Sequence, residues 1–267
     1  MERKMSMRKL NFKNTDYSYI WIANEGKETI LMLHPAFADH TMFEQQIAYF
    51  KTSYQLILLD LPGHGNSPLL SSKVTMQDVP ELLHQILTDN NISDCHLMGI
   101  SAGSLVAQAF ADRYPNQVKS VIMVGGYSIH KANDIILKGQ RKEGLKWLFY
   151  MLQPMRKFRE YVTSVSCYTA ECRALFSQGS QHFRKRSFRA MAGMNTFFIS
   201  KDTPMPYPLL IIVGEHDLPI ILAAADELHR LEINSQLVLL PGAGHCANAD
   251  KPYEFNKTVE HFLSEIH

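Results

Sequence analysis

The 267-residue sequence lacks an excess of charge, a long apolar run and the cysteine spacings of a metal or disulfide framework. Its 27 basic and 26 acidic side chains leave a net charge of +1, so it lacks the basic surplus of nucleic-acid-binding proteins. The basic N-terminal residues are not followed by the apolar segment of a secretory signal. No run approaches the roughly 20 apolar residues of a membrane span. We therefore expect no nucleic-acid partner, no secretory signal and no membrane span.

Cysteine is scarce and scattered along the chain. The four cysteines show no metal-type pairing: Cys95, Cys167, Cys172 and Cys246. Such a set is typical of free thiols in a reducing compartment, so we expect a cytoplasmic protein without a bound metal. Internal repeats and low-complexity tracts are also missing, and the length suits one large domain with an insertion.

What the sequence does contain is an alternation of short apolar runs with longer amphipathic stretches, which is typical of a mostly parallel sheet covered by helices. The apolar runs predict strands at 17–23, 29–33, 55–60, 94–98, 118–124, 209–213 and 236–240. The amphipathic stretches predict helices near 41–50, 75–90, 104–111, 219–231 and 251–266. The first strand alternates between polar and apolar residues, which favours an antiparallel edge hairpin.

The alternation stops between residues 128 and 204, a segment that we call the insertion. It contains only helical stretches rich in aromatic residues and methionine, so we expect a core of residues 1–127 and 205–267 and an all-helical insertion. The insertion carries 14 basic and five acidic side chains, a net charge of +9 that leaves −8 for the rest of the chain. Two interpretations stay open: a solvated outer face of amphipathic helices, or a collar that attracts an anionic substrate.

Ser101 lies between a predicted buried strand and a predicted helix, in the pattern G-x-S-x-G at 99–103. Such an abrupt turn forces the central residue into a positive φ, and the flanking glycines leave room for it. The hydroxyl then lies at a helix N-terminus, where negative charge is favoured. The pattern alone is a weak signal because glycine and serine are common, but in this context it predicts a nucleophile.

A serine nucleophile needs a base, and the base needs an acid to orient it. In an open α/β sheet, functional groups gather at the carboxyl ends of the strands. The strand at 209–213 runs into Glu215 and Asp217, and the strand at 236–240 runs into His245. The chain order is therefore serine, acid, histidine, with both acids as candidates on the residues alone.

Together these motifs resemble the α/β-hydrolase fold superfamily over nearly the whole chain. The matching segments are HPAF at 34–37, DLPGHGNS at 60–67, GISAG at 99–103, GEHD at 214–217 and GAGH at 242–245. The resemblance implies an α/β fold: a mostly parallel eight-stranded sheet flanked by helices, with the insertion as a helical lid between the sixth and seventh core strands. It also implies that Ser101 is the nucleophile, that His245 is the general base and then acid, and that Asp217 rather than Glu215 orients His245.

The resemblance further implies an oxyanion hole made of two backbone N–H donors. One is Ala102, directly after the nucleophile, and the other lies in the loop after the strand at 29–33. The family's usual glycine in that loop is Pro35 here, and proline has no N–H to donate. The second donor that we expect is therefore the N–H of the next residue, Ala36, and the N–H of Phe37 is the alternative.

The predicted substrate is a small or medium acyl ester or thioester, possibly anionic, and the chemistry needs no metal or organic cofactor. The candidate residues of an apolar acyl pocket are Phe37, Trp147, Met151 and Met194, although packing between lid helices explains such side chains equally well.

Carbon–carbon bond hydrolysis and cofactor-free perhydrolysis use the same triad, so they remain alternatives to ester hydrolysis. A slow-turnover ligand-binding protein that keeps the pocket is the alternative from another class.

Overall fold

The computed structural model describes residues 5–67, 73–130, 149–150 and 152–266. These residues form one sheet of eight strands in the order β1-β2-β4-β3-β5-β6-β7-β8. The strands are β1 Met5–Phe12, β2 Thr15–Ile22, β3 Thr29–Leu33, β4 Gln55–Leu59, β5 Cys95–Ile100, β6 Val118–Val124, β7 Leu209–Gly214 and β8 Ser235–Leu240. The six strands from β4 to β8 in this order pair in parallel. The predicted mostly parallel eight-stranded α/β fold is confirmed.

The central parallel strands are buried along their whole length, as β3, β5 and β7 illustrate. Helices cover both faces of these strands, so both faces must be apolar and the strands form continuous apolar runs. The N-terminal hairpin is different: β1 pairs with β2 antiparallel, and β2 pairs with β4 antiparallel. Lys13 and Asn14 form its two-residue turn with φ values of 49° and 61°, the geometry that fits the twist of a hairpin. The predicted edge hairpin is therefore confirmed.

The helices lie in two layers, one on each face of the sheet. They are α1 Glu44–Phe50, α2 Val79–Asp89, α3 Ala102–Arg113, α4 Met155–Ser166, α5 Ala170–Gly179, α6 Ser187–Ala190, α7 Pro219–Leu231, α8 Ala247–Asp250 and α9 Pro252–Ser264. Side chains of α2, α3 and α7 form the hydrophobic core of one face, and those of α1 and α9 belong to the core of the other. This arrangement leaves the carboxyl ends of the parallel strands at one edge of the sheet.

The described part of the insertion contains α4, α5, α6 and two short 3-10 helices, Ser180–His182 and Met194–Phe197, and no strand. Phe158 of α4 and Phe176 of α5 are fully buried and belong to the same hydrophobic core as α1 and α9. The insertion is thus packed onto the core, and its boundaries at 128 and 204 stay a prediction.

The chain enters and leaves the insertion side by side. Ile199 donates its N–H to the carbonyl of Ile129, and Lys201 donates its N–H to that of His130, both at 3.1 Å. Asp112 near the end of α3 holds both segments, because its carboxylate lies 2.6 Å from Lys201 Nζ and 2.5 Å from His130 Nε2. The two segments at the base of the insertion are therefore fixed to α3, the core helix whose N-cap is Ser101.

The cysteines have the predicted state: all four are buried and free of disulfides. Within the described residues, no helix combines the length and the apolar composition that crossing a bilayer requires.

Candidate active site

Ser101 occupies the sharp turn between β5 and α3, at the carboxyl edge of the sheet. Its φ is 51° and its ψ is −115°, and it is the N-cap of α3. Its backbone N–H donates to the carbonyl of Val124, at the end of β6, at 2.7 Å. A non-glycine residue with this backbone conformation is strained, and such strain is characteristic of functional turns. The half-buried hydroxyl group is therefore held at the N-terminus of a 12-residue helix.

The glycines on either side of Ser101 are required by close backbone approach. A Cβ on Gly99 would lie 2.4 Å from the carbonyl oxygen of Gly103, and one on Gly103 would lie 2.1 Å from that of Leu33. The first turn of α3 thus packs directly against the end of β3. This contact places Gly103, the residue after Ala102, against the start of the loop that follows β3.

Gly103→Ala is expected to lower the free energy of unfolding by at least about 3 kcal/mol, because backbone atoms of β3 would have to move. Urea denaturation followed by circular dichroism measures this loss. Gly26→Ala is the matched control: its φ is +72° but no atom lies within 4 Å of the added Cβ, so only about 1 kcal/mol of backbone strain is expected. Equal losses in the two variants would contradict the contact with β3.

His245 and Asp217 meet in the loops that follow β8 and β7. His245 Nδ1 lies 2.9 Å from Asp217 Oδ1 and 3.1 Å from Oδ2. The Asp217 side chain is fully buried, and its Oδ1 also accepts the N–H of Leu218 at 2.7 Å. Because a carboxylate only accepts hydrogen bonds, Nδ1 carries the proton and Nε2 has a free lone pair. The pair can therefore act as an oriented base.

The electrostatics of this pair raise the pKa of the imidazole. Burial disfavours the charged form of His245, but the charge and the hydrogen bond of Asp217 outweigh it and raise the pKa above the usual value of 6.5. A raised pKa makes His245 a stronger base towards a hydroxyl proton.

The His245 ring packs against the chain segment that also holds Ser101. A Cβ on Gly125 would lie 2.8 Å from His245 Nδ1 and 2.9 Å from Cε1. Gly125 directly follows Val124, whose carbonyl accepts the Ser101 N–H. The ends of β5, β6, β7 and β8 thus bring the serine, the acid and the histidine to one edge. Sequence reasoning missed Gly125, although a glycine directly after a buried strand marks a close approach.

The second candidate acid has a different environment. Glu215 Oε2 accepts the N–H of Gly242 at 2.9 Å, and its side chain is 51% exposed. Glu215 therefore ties the loop after β7 to the loop after β8, whereas Asp217 contacts the imidazole.

The loop after β3 is held by a buried histidine. His34 Nε2 accepts the N–H of Leu61 at 2.9 Å, so its Nδ1 carries the proton and donates to the carbonyl of Pro35 at 2.8 Å. The next residue, Ala36, is partly buried and packs against the hydrophobic cores of both faces. Phe37 has a φ of 73°, so the chain turns sharply directly after Ala36. The start of the loop lies against Gly103, because a Cβ there would lie 2.9 Å from the carbonyl oxygen of His34.

Asp60, directly after β4, joins the loop that follows β4 to the loop that follows β3. Its carboxylate accepts the backbone N–H groups of His40 and Asn66, each at 2.9 Å, and contacts His40 Nδ1 at 2.9 Å. Burial alone would raise the pKa of Asp60, but the hydrogen bond from His40, the electrostatic interactions with the His34 and His40 rings and the hydrogen bond from the Asn66 N–H lower it to about 2. Sequence reasoning missed the contribution of His40, because a bond between loops after different strands leaves no local pattern.

Of the four predicted pocket residues, the structure describes Phe37 and Met194. Phe37 is buried, and its ring centroid lies 5.1 Å from those of Phe158 and Phe183 in the insertion. Its described contacts are therefore packing contacts with the insertion. Met194 is half-buried at the start of its 3-10 helix and packs against the core formed by α2 and α3. Trp147 and Met151 lie outside the described residues. Within the described ranges, no group of three or more histidine, cysteine or acidic side chains is arranged to hold a metal ion.

Comparison with known proteins agrees with this architecture. The family model of the alpha/beta hydrolase fold matches residues 28–150. The (E)-2-((N-methylformamido)methylene)succinate hydrolase of Acinetobacter baylyi is 21% identical over 97% of this chain and 98% of that protein. The pimeloyl-[acyl-carrier protein] methyl ester esterase of Aeromonas hydrophila is 24% identical over 88% of this chain and 94% of that protein.

Among solved structures, a thermophilic esterase from Thermogutta terrifontis superposes with a TM-score of 0.79 at 20% identity, over 98% of this chain and 99% of the esterase. Similarity at that level of identity supports the fold. The strand order, the turn at Ser101 and these matches lead to one conclusion: the chain has the α/β-hydrolase fold.

Proposed function

We propose that this protein is a serine hydrolase that cleaves a carboxylic ester or thioester through an acyl-enzyme. The observation that carries the proposal is the His245–Asp217 pair, at 2.9 Å, packed against the segment that holds the strained Ser101 turn. Ser101 is the nucleophile, His245 the general base and Asp217 the acid that orients it.

In the proposed reaction, Ser101 Oγ attacks the acyl carbonyl while His245 Nε2 takes the hydroxyl proton. The N–H groups of Ala36 and Ala102 bind the oxyanion of the tetrahedral intermediate. Collapse of the intermediate breaks the bond to the leaving alcohol or thiol, which receives the proton from His245. Water then attacks the acyl-enzyme with the same assistance, releasing the acid and restoring Ser101.

The decisive experiment measures release of p-nitrophenol from acetate, butyrate and octanoate esters, together with labelling by a fluorophosphonate. Hydrolysis with stoichiometric labelling supports the proposal, and the preferred chain length gives the size of the acyl site. Labelling without ester turnover would favour carbon–carbon bond hydrolysis or a slow-turnover binding protein. Absence of both labelling and turnover would contradict an assembled triad.

We further propose that the insertion is a lid and that its charge selects an anionic acyl substrate. The described insertion residues carry nine basic and three acidic side chains. Arg184, Lys185 and Arg186 are exposed directly before α6. That helix packs on the loop after β4, since a Cβ on Gly63 would lie 2.9 Å from Ala190 Cβ. Positive charge is thus placed near the carboxyl edge, and the A. baylyi relative is named for a succinate derivative.

Replacing Arg184, Lys185 and Arg186 together with glutamine is expected to raise KM about 5- to 10-fold for p-nitrophenyl hemisuccinate. The KM for p-nitrophenyl butyrate, which has the same number of acyl carbons, should stay unchanged. A control variant removes three exposed basic residues outside the insertion: Lys9, Lys27 and Arg113. An equal KM change for both esters, or the same effect in the control variant, would rule out the proposed charge selection.

A further inference from the structure

Asp250 is a buried carboxylate outside the proposed triad, five residues after His245 and only 6% exposed. Its oxygens accept hydrogen bonds from two separate segments of the chain. Oδ2 accepts the N–H of Gly244 at 2.8 Å. Oδ1 accepts the N–H of Thr169 at 2.7 Å and its hydroxyl at 2.8 Å, and the N–H of Tyr168 lies 3.1 Å from both oxygens. One side chain therefore satisfies four donors.

One segment is the loop after β8 that carries His245, which we call the histidine loop. The other is the turn between α4 and α5 of the insertion. Gly244 directly precedes His245, so Asp250 fixes the chain on one side of the imidazole. On the other side, Cys246 donates its N–H to the carbonyl of Ser166 at 2.9 Å. His245 is thus flanked on both sides by hydrogen bonds that lead to the same turn of the insertion.

The loop that carries the acid touches this turn as well. The ring of Tyr168 stacks on that of His216, with centroids 3.9 Å apart and an interplanar angle of 12°. His216 directly precedes Asp217. The turn between α4 and α5 therefore contacts the loops of both the proposed base and the proposed acid.

We propose that Asp250 is a positioning residue, which holds His245 in its reactive place by fastening the histidine loop to the α4–α5 turn of the insertion. This inference rests on the proposed serine hydrolase function. An ionised carboxylate only accepts hydrogen bonds, and all four of its partners donate. Asparagine at position 250 would place an NH₂ group where one carboxylate oxygen now accepts hydrogen bonds. Donor groups would then face each other, so one of the two segments would be released.

Asp250→Asn is expected to lower kcat for p-nitrophenyl butyrate about 10- to 100-fold, because small displacements of a catalytic group cost this much. KM should stay within about twofold, since the described hydrogen bonds of Asp250 go to Gly244, Tyr168 and Thr169. Sites are counted by the endpoint of fluorophosphonate labelling, so loss of folded protein does not lower kcat per site. The rate of labelling should fall in parallel. Asp226→Asn, which neutralises an exposed carboxylate on α7, should leave all of these quantities unchanged.

Wild-type kcat per labelled site in Asp250→Asn would overturn the inference, as would an increase in KM at unchanged kcat. If the asparagine variant does not fold, Asp250→Glu tests the same inference by kcat per labelled site. Glutamate keeps the charge but displaces the carboxylate, so kcat per site should still fall. Thr169→Val removes the hydroxyl that donates to Asp250 and caps α5 by accepting the N–H of Cys172. It keeps the bond to Gly244, so an unchanged kcat would overturn the role of the insertion.

The failure of this inference is distinguishable from failure of the proposed function. If wild-type protein neither hydrolyses esters nor reacts with the fluorophosphonate, the proposed function falls. If wild-type protein does both, and Asp250→Asn matches it, only the positioning role falls.

Discussion

Ser101→Ala is expected to lower kcat for ester hydrolysis by about 10⁶-fold and to abolish fluorophosphonate labelling. The substitution removes the oxygen that is proposed to form the acyl-enzyme, and losses of this size follow removal of a nucleophile that acts as part of a triad. Alanine keeps the backbone of the turn, so circular dichroism and thermal unfolding should remain close to those of the wild type. Steady-state rates with p-nitrophenyl butyrate and labelling of the same samples measure the effect.

Ser93→Ala is the control for this prediction, because Ser93 is an exposed serine before β5. It should hydrolyse the ester and react with the fluorophosphonate as the wild type does. Hydrolysis that persists in Ser101→Ala at more than about one-hundredth of the wild-type rate would show that another group is the nucleophile.

Asp217→Asn is expected to lower kcat by about 10⁴-fold, as loss of the orienting acid does in serine proteases. An amide can present N–H to His245 Nδ1, which would stabilise the wrong tautomer and protonate Nε2. The hydroxyl proton of Ser101 would then have no acceptor. The measurement is kcat per fluorophosphonate-titrated site.

The same substitution should change the pH dependence. In the wild type, Asp217 raises the pKa of His245, and the neutral imidazole is the active form. We therefore expect kcat/KM to fall as the pH drops through a pKa above 6.5. Without the carboxylate, the largest influences that raise the pKa of His245 are lost while burial still lowers it, so this acidic limb should shift to lower pH. A shift in the opposite direction would contradict the electrostatic role of Asp217.

Glu215→Gln is the matched control, since Glu215 is the other acid at the end of β7. Its carboxylate accepts the N–H of Gly242, and a glutamine carbonyl can accept the same bond. We expect kcat within about threefold of the wild type. A larger loss in Glu215→Gln than in Asp217→Asn would assign the orienting role to Glu215.

The strands of the core could be predicted because a strand buried on both faces carries an uninterrupted apolar run. The predicted bounds of β3 and β6 agree with the structure, and helix α7 has the predicted bounds as well. Strand β1 was not predicted, because at the edge of the sheet only its Leu10 and Phe12 are buried and its remaining residues carry no burial pattern.

The sequence alone also determined where the candidate site lies, since Ser101, Asp217 and His245 each follow an apolar strand directly or after a short loop. Parallel strands end at one edge, so these residues must lie near one another whatever the details of packing. The strained turn at Ser101 follows from the same local pattern, because a strand that passes directly into a helix requires it.

Only the tertiary structure decided which side chains face each other at that edge. Glu215 and Asp217 are two residues apart, and both remain candidates on the residues alone. The family resemblance favours Asp217, and the fold shows that Asp217 is the buried acid that contacts His245, whereas Glu215 is exposed. Likewise, nothing near Asp250 in the sequence points to Thr169, 81 residues away. The physical reason is that residue patterns record burial and element type, whereas contacts between loops depend on strand order, strand twist and the packing of the insertion on the core.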